Sequence, residues 1–310
     1  MQNAPVAAVD LGTNTILMVV GRRTERSTEI LADEHAVVRL GEGVDAQRSL
    51  SPEAIERTCQ QMKVYARLAH SLGVRRIKAW GTSALRDASN RQILIDRVAQ
   101  ECQVELCPLS GEGEALYTFH GARWGLPDLG DYTVLDIGGG STEVALGSPS
   151  ELHFSHSFNT GSVRLSERFF PRLPPTQSAR VQARESARQT LDPLSSLRPQ
   201  EPLLAVAGTA LVLAAIDAGK ARFDDPSLSG YYLKTERVAQ LSDKLLNLDH
   251  TALCKMSPIG SERADIIGAG TLILSVFLEQ CGLPGITVSL RGLRYGLLEH
   301  MLQESDASTD

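Results

Sequence analysis

Asp10-Leu11-Gly12-Thr13-Asn14-Thr15 follows the apolar run Val6-Ala7-Ala8-Val9, and far downstream Asp136-Ile137-Gly138-Gly139-Gly140-Ser141-Thr142 follows Val134-Leu135. Each copy sets an Asp at the end of a buried strand, then glycines and hydroxyls in a tight turn, then a second apolar strand: Ile16 to Val20, and Val144 to Leu146. Glycine lets backbone approach an anion closely, and successive N–H groups in such a turn make a concave anion site. Ser and Thr hydroxyls add donors, and an adjacent Asp can hold a divalent cation that offsets phosphate charge. One such turn is ordinary hairpin chemistry. Three successive glycines at a strand end cost conformational entropy without some backbone need, and the motif occurs in both halves. Two such loops facing each other across a cleft form a phosphate clamp.

Outward from the turns, the first half reads as strands at Val6 to Val9, Ile16 to Arg22 and Ile30 to Val38, then alternating helices and strands. Ser51-Pro52-Glu53 opens a helix, with Ser as N-cap, Pro at the first position and Glu against the dipole. Arg76 to Trp80 and Val104 to Leu106 read as strands, Asn90 as a helix cap, and Glu112 to Trp124 as a helix. Asp128 to Asp131 is a turn-rich hinge, so the expected domains are 1–127 and 128–310. The second half repeats strand, turn, strand, strand. It continues with a helix from Gln177 to Leu191, a buried strand Leu203 to Val206, and a Gly208-Thr209 turn into a helix that offers a third anion contact. An apolar helix at Ile266 to Leu278, a strand at Ile286 to Leu290 and a helix from Leu293 to Leu302 complete the pattern. The last helix is expected to be able to pack on the first domain, and Ser305 to Asp310 to fray. Each domain is expected to hold a five-stranded mixed sheet.

A length of 310 residues exceeds what one core usually serves. With 42% hydrophobic and 22% charged residues the composition is that of a globular protein. A net charge of -6 argues against a nucleic-acid footprint over the whole surface. The N-terminus lacks the pattern of a signal peptide and no run reaches a membrane span, so the cytoplasm is the expected location. Cysteines at 59, 102, 107, 254 and 281 form no CxxC pair and read as thiols. His153 and His156 are three apart on a strand and point to opposite faces, which excludes joint chelation.

With the turns placed, the chain resembles the exopolyphosphatase / guanosine pentaphosphate phosphohydrolase family of the actin-like ATPase superfamily. The resemblance spans nearly the whole sequence. It includes Arg39-Leu40-Gly41-Glu42-Gly43, Gly81-Thr82-Ser83-Ala84-Leu85-Arg86, Ser110-Gly111-Glu112-Gly113-Glu114, Gly161-Ser162-Val163-Arg164-Leu165, Ala207-Gly208-Thr209, Glu262-Arg263-Ala264-Asp265 and Gly292-Leu293-Arg294-Tyr295-Gly296. Departures are Gly113 between two acids that are usually adjacent, and Tyr295 where an acid is commoner. Longer members also carry C-terminal helical domains beyond the point where this chain stops.

The resemblance implies two ribonuclease H-like (actin-like ATPase) α/β domains with a central cleft and no C-terminal helical domains. It assigns the attacking water to Glu114 and a Mg²⁺ ion, with Mn²⁺ as an alternative, to Asp136 and Glu143. Asp10 is a weaker metal candidate. Thr13, Asn14, Thr15, Arg86, Gly138, Gly139, Gly140, Ser141, Thr142, Gly208 and Thr209 are the expected phosphate ligands, Arg86 because a planar guanidinium grips phosphate through two bonds. Arg39, Arg164 and Arg263 stand between ligand and structural ion pair. The expected activity is exopolyphosphatase, acting on short polyphosphates, with guanosine pentaphosphate hydrolysis as the alternative. An ATP-driven kinase or chaperone lacks its extra modules here. A non-catalytic sensor of alarmone or polyphosphate would not need Glu114, Asp136 and Glu143 together. Neither nucleic acid nor membrane is an expected partner, and a homodimer is left open.

Overall fold

The computed structural model describes residues 4–25, 27–127, 130–197 and 199–307. Asp128, the expected hinge, lies outside the described residues. The chain forms two compact units, one from Met1–Gly121 together with Leu293–Asp310, the other from Ala122–Gly292.

In the first unit β1 (Val6–Leu11), β2 (Thr15–Arg23), β3 (Thr28–Val37), β4 (Arg76–Gly81) and β5 (Glu105–Pro108) form one sheet in the order β3-β2-β1-β4-β5. β1 runs antiparallel to β2 and parallel to β4, and β4 is parallel to β5. Strands alternate faces. Ala7, Val9, Leu11, Ile16, Met18 and Val20 join a core with Ile55, Cys59 and Met62 of the helix Pro52–Ser71. The opposite face of β1 and β2 is covered by the helix Leu293–Ala307. A Cβ on Gly21 would lie 2.8 Å from Leu298 Cδ2, and one on Gly296 only 1.9 Å from the Tyr117 carbonyl, so glycines set two close approaches of this helix. Leu297, Leu298, Met301 and Leu302 are buried along it, each worth about 1.5–3 kcal/mol.

The second unit repeats the plan. β6 (Tyr132–Ile137), β7 (Thr142–Gly147), β8 (Leu152–Phe158), β9 (Leu203–Val206), β10 (Tyr232–Lys234) and β11 (Gly285–Val288) stand in the order β10-β11-β9-β6-β7-β8. Removing β10 leaves the same order and strand directions as in the first unit, the ribonuclease H-like arrangement. The correspondence extends to register. Leu11 pairs Ile16 and Ile137 pairs Thr142, so both turns have one length. β2 and β7 each shift register at a glycine, Gly21 and Gly147, opposite the first residue of the preceding strand. The extra residue is on the partner strand each time, Leu31 in β3 and His153 in β8, and the facing glycine leaves room for that bulge.

The sheet of this unit has six strands, not the five expected. β10 is only three residues long, too short for an alternation to show. Two local expectations are refined as well. Ser51 does accept from the Ala54 N–H at 3.1 Å. Asn90 stands at the start of its helix without capping it, because its amide bridges both backbone groups of Leu50 at 2.8 and 2.9 Å. Among the described residues, no helix is long and apolar enough to cross a membrane. The helix Ile267–Cys281 is apolar because it is the buried centre of the second unit.

Candidate active site

In the first unit, Leu11, Gly81 and Pro108 stand abreast at the carboxyl ends of the parallel strands β1, β4 and β5. The segments that leave them are bonded together: Thr82 N–H to Leu11 O at 3.1 Å, and Leu109 N–H to Gly81 O at 2.8 Å. Ligands in open α/β sheets bind outside this edge. Here lie Thr13, Asn14, Thr15, Arg86 and Glu114. The turn closes through Gly12 N–H to Thr15 O at 2.8 Å. Its carbonyls are tied back, with Thr13 O accepting from Gly41, and Asn14 O from Val38 and Arg39. A trans peptide sets N–H opposite C=O, so the N–H groups of Asn14 and Thr15 point away from that brace. Arg39 serves the brace through its backbone in a left-handed conformation, φ 49°. A Cβ on Gly41 would fall 2.2 Å from Thr13 Cγ2.

Glu114 lies in the first turn of the helix Gly111–Ala122 and is 7% exposed, whereas Glu112 is exposed. Arg86 Nη1 donates to Glu114 Oε2 at 2.5 Å and to Leu109 O at 2.9 Å. Burial pushes the Glu114 carboxyl above its ordinary range, and the Arg86 charge, the Arg86 hydrogen bond and a bond from the Thr82 side chain pull it partly back. Thr82 lies in the Gly81–Arg86 motif, where nothing local marks its hydroxyl as a partner of Glu114.

In the second unit, Gly138 N–H bonds Ser141 O at 3.0 Å, matching Gly12 and Thr15. The three glycine carbonyls face the start of the helix Ser162–Phe169: Gly138 O accepts from Ser162, Gly139 O from Val163 and Arg164, and Gly140 O from Arg164 Nε at 2.7 Å. The N–H groups of Gly139, Gly140 and Ser141, on those same peptide planes, are therefore directed to the other side as three consecutive donors. Gly161 makes the approach possible, since a Cβ there would meet Gly139 O at 2.5 Å. Arg164, left between two roles by sequence, is buried and braces this loop. Thr142 likewise spends its hydroxyl on Thr160 O at 2.7 Å, which makes its side chain a brace in this structure.

Asp136 and Glu143 are a directly opposed cross-strand pair, and such pairs hold their Cβ atoms about 5 Å apart on one face. Among the described residues no group of three His, Cys, Asp or Glu converges. A two-carboxylate pair beside an anion cradle is nevertheless the donor set that Mg²⁺ uses when substrate oxygens and water complete its octahedron. In the first unit, Asp10 opposes Leu17, so one carboxylate stands alone in that row. It lies in the field of Arg294, whose guanidinium grips Asp33 through bonds of 2.7 and 3.0 Å.

Gly208 and Thr209 follow β9 beside the glycine turn, since Asp136 pairs Val206. The helix Ala207–Asp217 begins on Ala207 at φ 63°, a left-handed elbow. Arg263 packs over this join: a Cβ on Gly208 would lie 2.9 Å from its Nε, and its guanidinium sits 4.1 Å above the Phe223 ring. Burial lowers the pKa of Arg263.

Residues 19–305 match the profile of the Ppx/GppA phosphatase family. The chain is 32% identical over 311 aligned positions to Exopolyphosphatase 2 of Mycobacterium tuberculosis, covering 94% of this chain and 97% of that protein. It is 29% identical to the guanosine-5'-triphosphate,3'-diphosphate pyrophosphatase of Vibrio campbellii, over 96% of this chain but 59% of that longer relative. The crystal structure of an exopolyphosphatase from Cytophaga hutchinsonii superposes with a TM-score of 0.88 at 26% identity, over 97% of this chain and 98% of that one.

Proposed function

The chain belongs to the Ppx/GppA phosphatase family, and from that membership we propose that it is a phosphoanhydride hydrolase that releases the terminal phosphate of inorganic polyphosphate. The observation that carries the reading is the glycine turn whose three carbonyls are bonded on one side, which leaves the N–H groups of Gly139, Gly140 and Ser141 as an anion cradle.

In this reading the cradle and the N–H groups of Asn14 and Thr15 bind phosphoryl oxygens, with Gly208 and Thr209 adding to the anion-binding surface. Arg86, bonded to Glu114 through Nη1 alone, turns its remaining guanidinium edge to a phosphate oxygen. Ionised Glu114 orients a water and takes its proton as the water oxygen attacks the terminal phosphorus. The bridging P–O bond breaks, its electron pair stays on the shortened chain, and inorganic phosphate leaves. Asp136 and Glu143 would hold Mg²⁺, or Mn²⁺ in its place, which neutralises charge on non-bridging oxygens when bound. Five cysteines without disulfides suit a reducing compartment and hence the cytoplasm.

The likeness to the Vibrio pyrophosphatase supports a second reading, hydrolysis of guanosine pentaphosphate at its terminal phosphate. Phosphate release measured side by side on polyphosphates of several lengths, guanosine pentaphosphate and ATP tests both. Fastest release from polyphosphate is expected; turnover of ATP alone would overturn the proposal.

A further inference from the structure

The acid row of the second unit does not end at Glu143. Asp136 pairs Val206 on β9 and Glu143 on β7, and Glu143 pairs Ser157 on β8, so one row crosses four strands on one face. Ser157 Oγ donates to Glu143 Oε1 at 2.6 Å, the short distance of a hydroxyl bonded to a carboxylate. Glu143 is 2% exposed, so water is a poor substitute for that donor.

The first unit provides the comparison. Its equivalent row is Trp80, Asp10, Leu17, His35. Where the second acid is replaced by Leu17, the hydroxyl is absent too. Acid and serine stand in matched register in one copy of the duplicated hairpin and are both missing from the other.

Resting on the reading of Asp136 and Glu143 as cation ligands, we propose that Ser157 is a positioning residue for the metal: it engages one oxygen of Glu143 and thereby sets the direction in which the carboxylate presents the other. Strand pairing fixes only the Glu143 Cβ; the three torsions that place the carboxylate and turn its oxygens need a side-chain partner. Ser157 itself touches neither metal nor substrate.

Mn²⁺ binding to the substrate-free protein, followed by the electron paramagnetic resonance of unbound Mn²⁺, provides the test. Partners of metal ligands are typically worth 10- to 100-fold in affinity, so Ser157→Ala is expected to bind Mn²⁺ about 10- to 100-fold more weakly. Ser157→Thr and Ser157→Val have the same shape and suit a strand equally, but only threonine keeps the donor. Threonine should therefore retain the affinity and valine lose it, a split that a purely structural role would not produce. If the threonine and valine variants bind alike while Glu143→Gln binds weakly, the role of Ser157 is wrong and the metal pair stands. If Glu143→Gln also binds like wild type, the metal pair fails and takes this inference with it.

Discussion

Arg86 and Glu114 are bonded to each other at 2.5 Å at the carboxyl edge of the first sheet. In the proposed mechanism the arginine that grips phosphate thus also orients the carboxylate that activates water. Removing the carboxylate should leave binding to the loops and cations. Glu114→Gln is therefore expected to lower kcat by roughly 10²–10⁴ with little change in KM. Steady-state kinetics on one polyphosphate decide it; near wild-type turnover would move the role elsewhere, with the exposed Glu112 the first residue to examine.

The same pair predicts a pH profile. Burial raises the Glu114 pKa and Arg86 opposes it. For an acid whose folded pKa lies above its unfolded one, folding favours the protonated form. That contribution to stability is present below the unfolded pKa and is lost as pH rises through the folded one. Activity has the opposite slope, because a general base must be ionised. The acid limb of kcat/KM should lie above the ordinary carboxylate range, and Arg86→Gln, which deletes the opposing charge, should move it to still higher pH. A limb that stays put or moves down would contradict the assignment.

On the proposed assignment of Asp136 and Glu143 to Mg²⁺, Asp136→Asn and Glu143→Gln would each delete one negative ligand from a site otherwise completed by water and substrate. Activity titrated against Mg²⁺ should show weaker affinity in both, with partial recovery at excess metal. Equal rates in chelator and in Mg²⁺ would rule out metal assistance.

Gly161→Ala drives a methyl group to 2.5 Å from Gly139 O, a backbone atom that can yield only by moving the loop. The expected cost is about 1–3 kcal/mol of stability together with a raised KM for polyphosphate. Gly130→Ala meets nothing within 4 Å and should stay within about 0.5 kcal/mol of wild type. Denaturant melts and KM values for the two variants check this.

Much of the plan was readable because both hairpins are local. Asp10 to Val20 and Asp136 to Leu146 carry strand, turn and strand in one window, and their glycines mark where backbone must bend or approach. What stayed hidden depends on pairing between distant segments. Ser157 gains meaning only from the β7–β8 register, and Arg164 only from the carbonyl it reaches across 24 residues of sequence. The amide of Asn90 had a visible local use as a cap and a stronger non-local one at Leu50. Asp33 offered no signal at all, since its partner Arg294 lies at the other end of the chain.

The helix Leu293–Ala307 completes the first unit although all of Ala122–Gly292 intervenes. During synthesis, the face of β1 and β2 that carries Ala8 and Val19 must wait for the last helix to be made. The inserted unit is contiguous and can close as soon as it emerges. Order of synthesis and order of folding are therefore inverted: the segment made first is finished last. Its closure joins residues nearly a chain length apart, the slow and aggregation-exposed kind of contact. A nascent chain stalled before Leu293 would hold a finished second unit tethered to a first unit with one side of its sheet still bare.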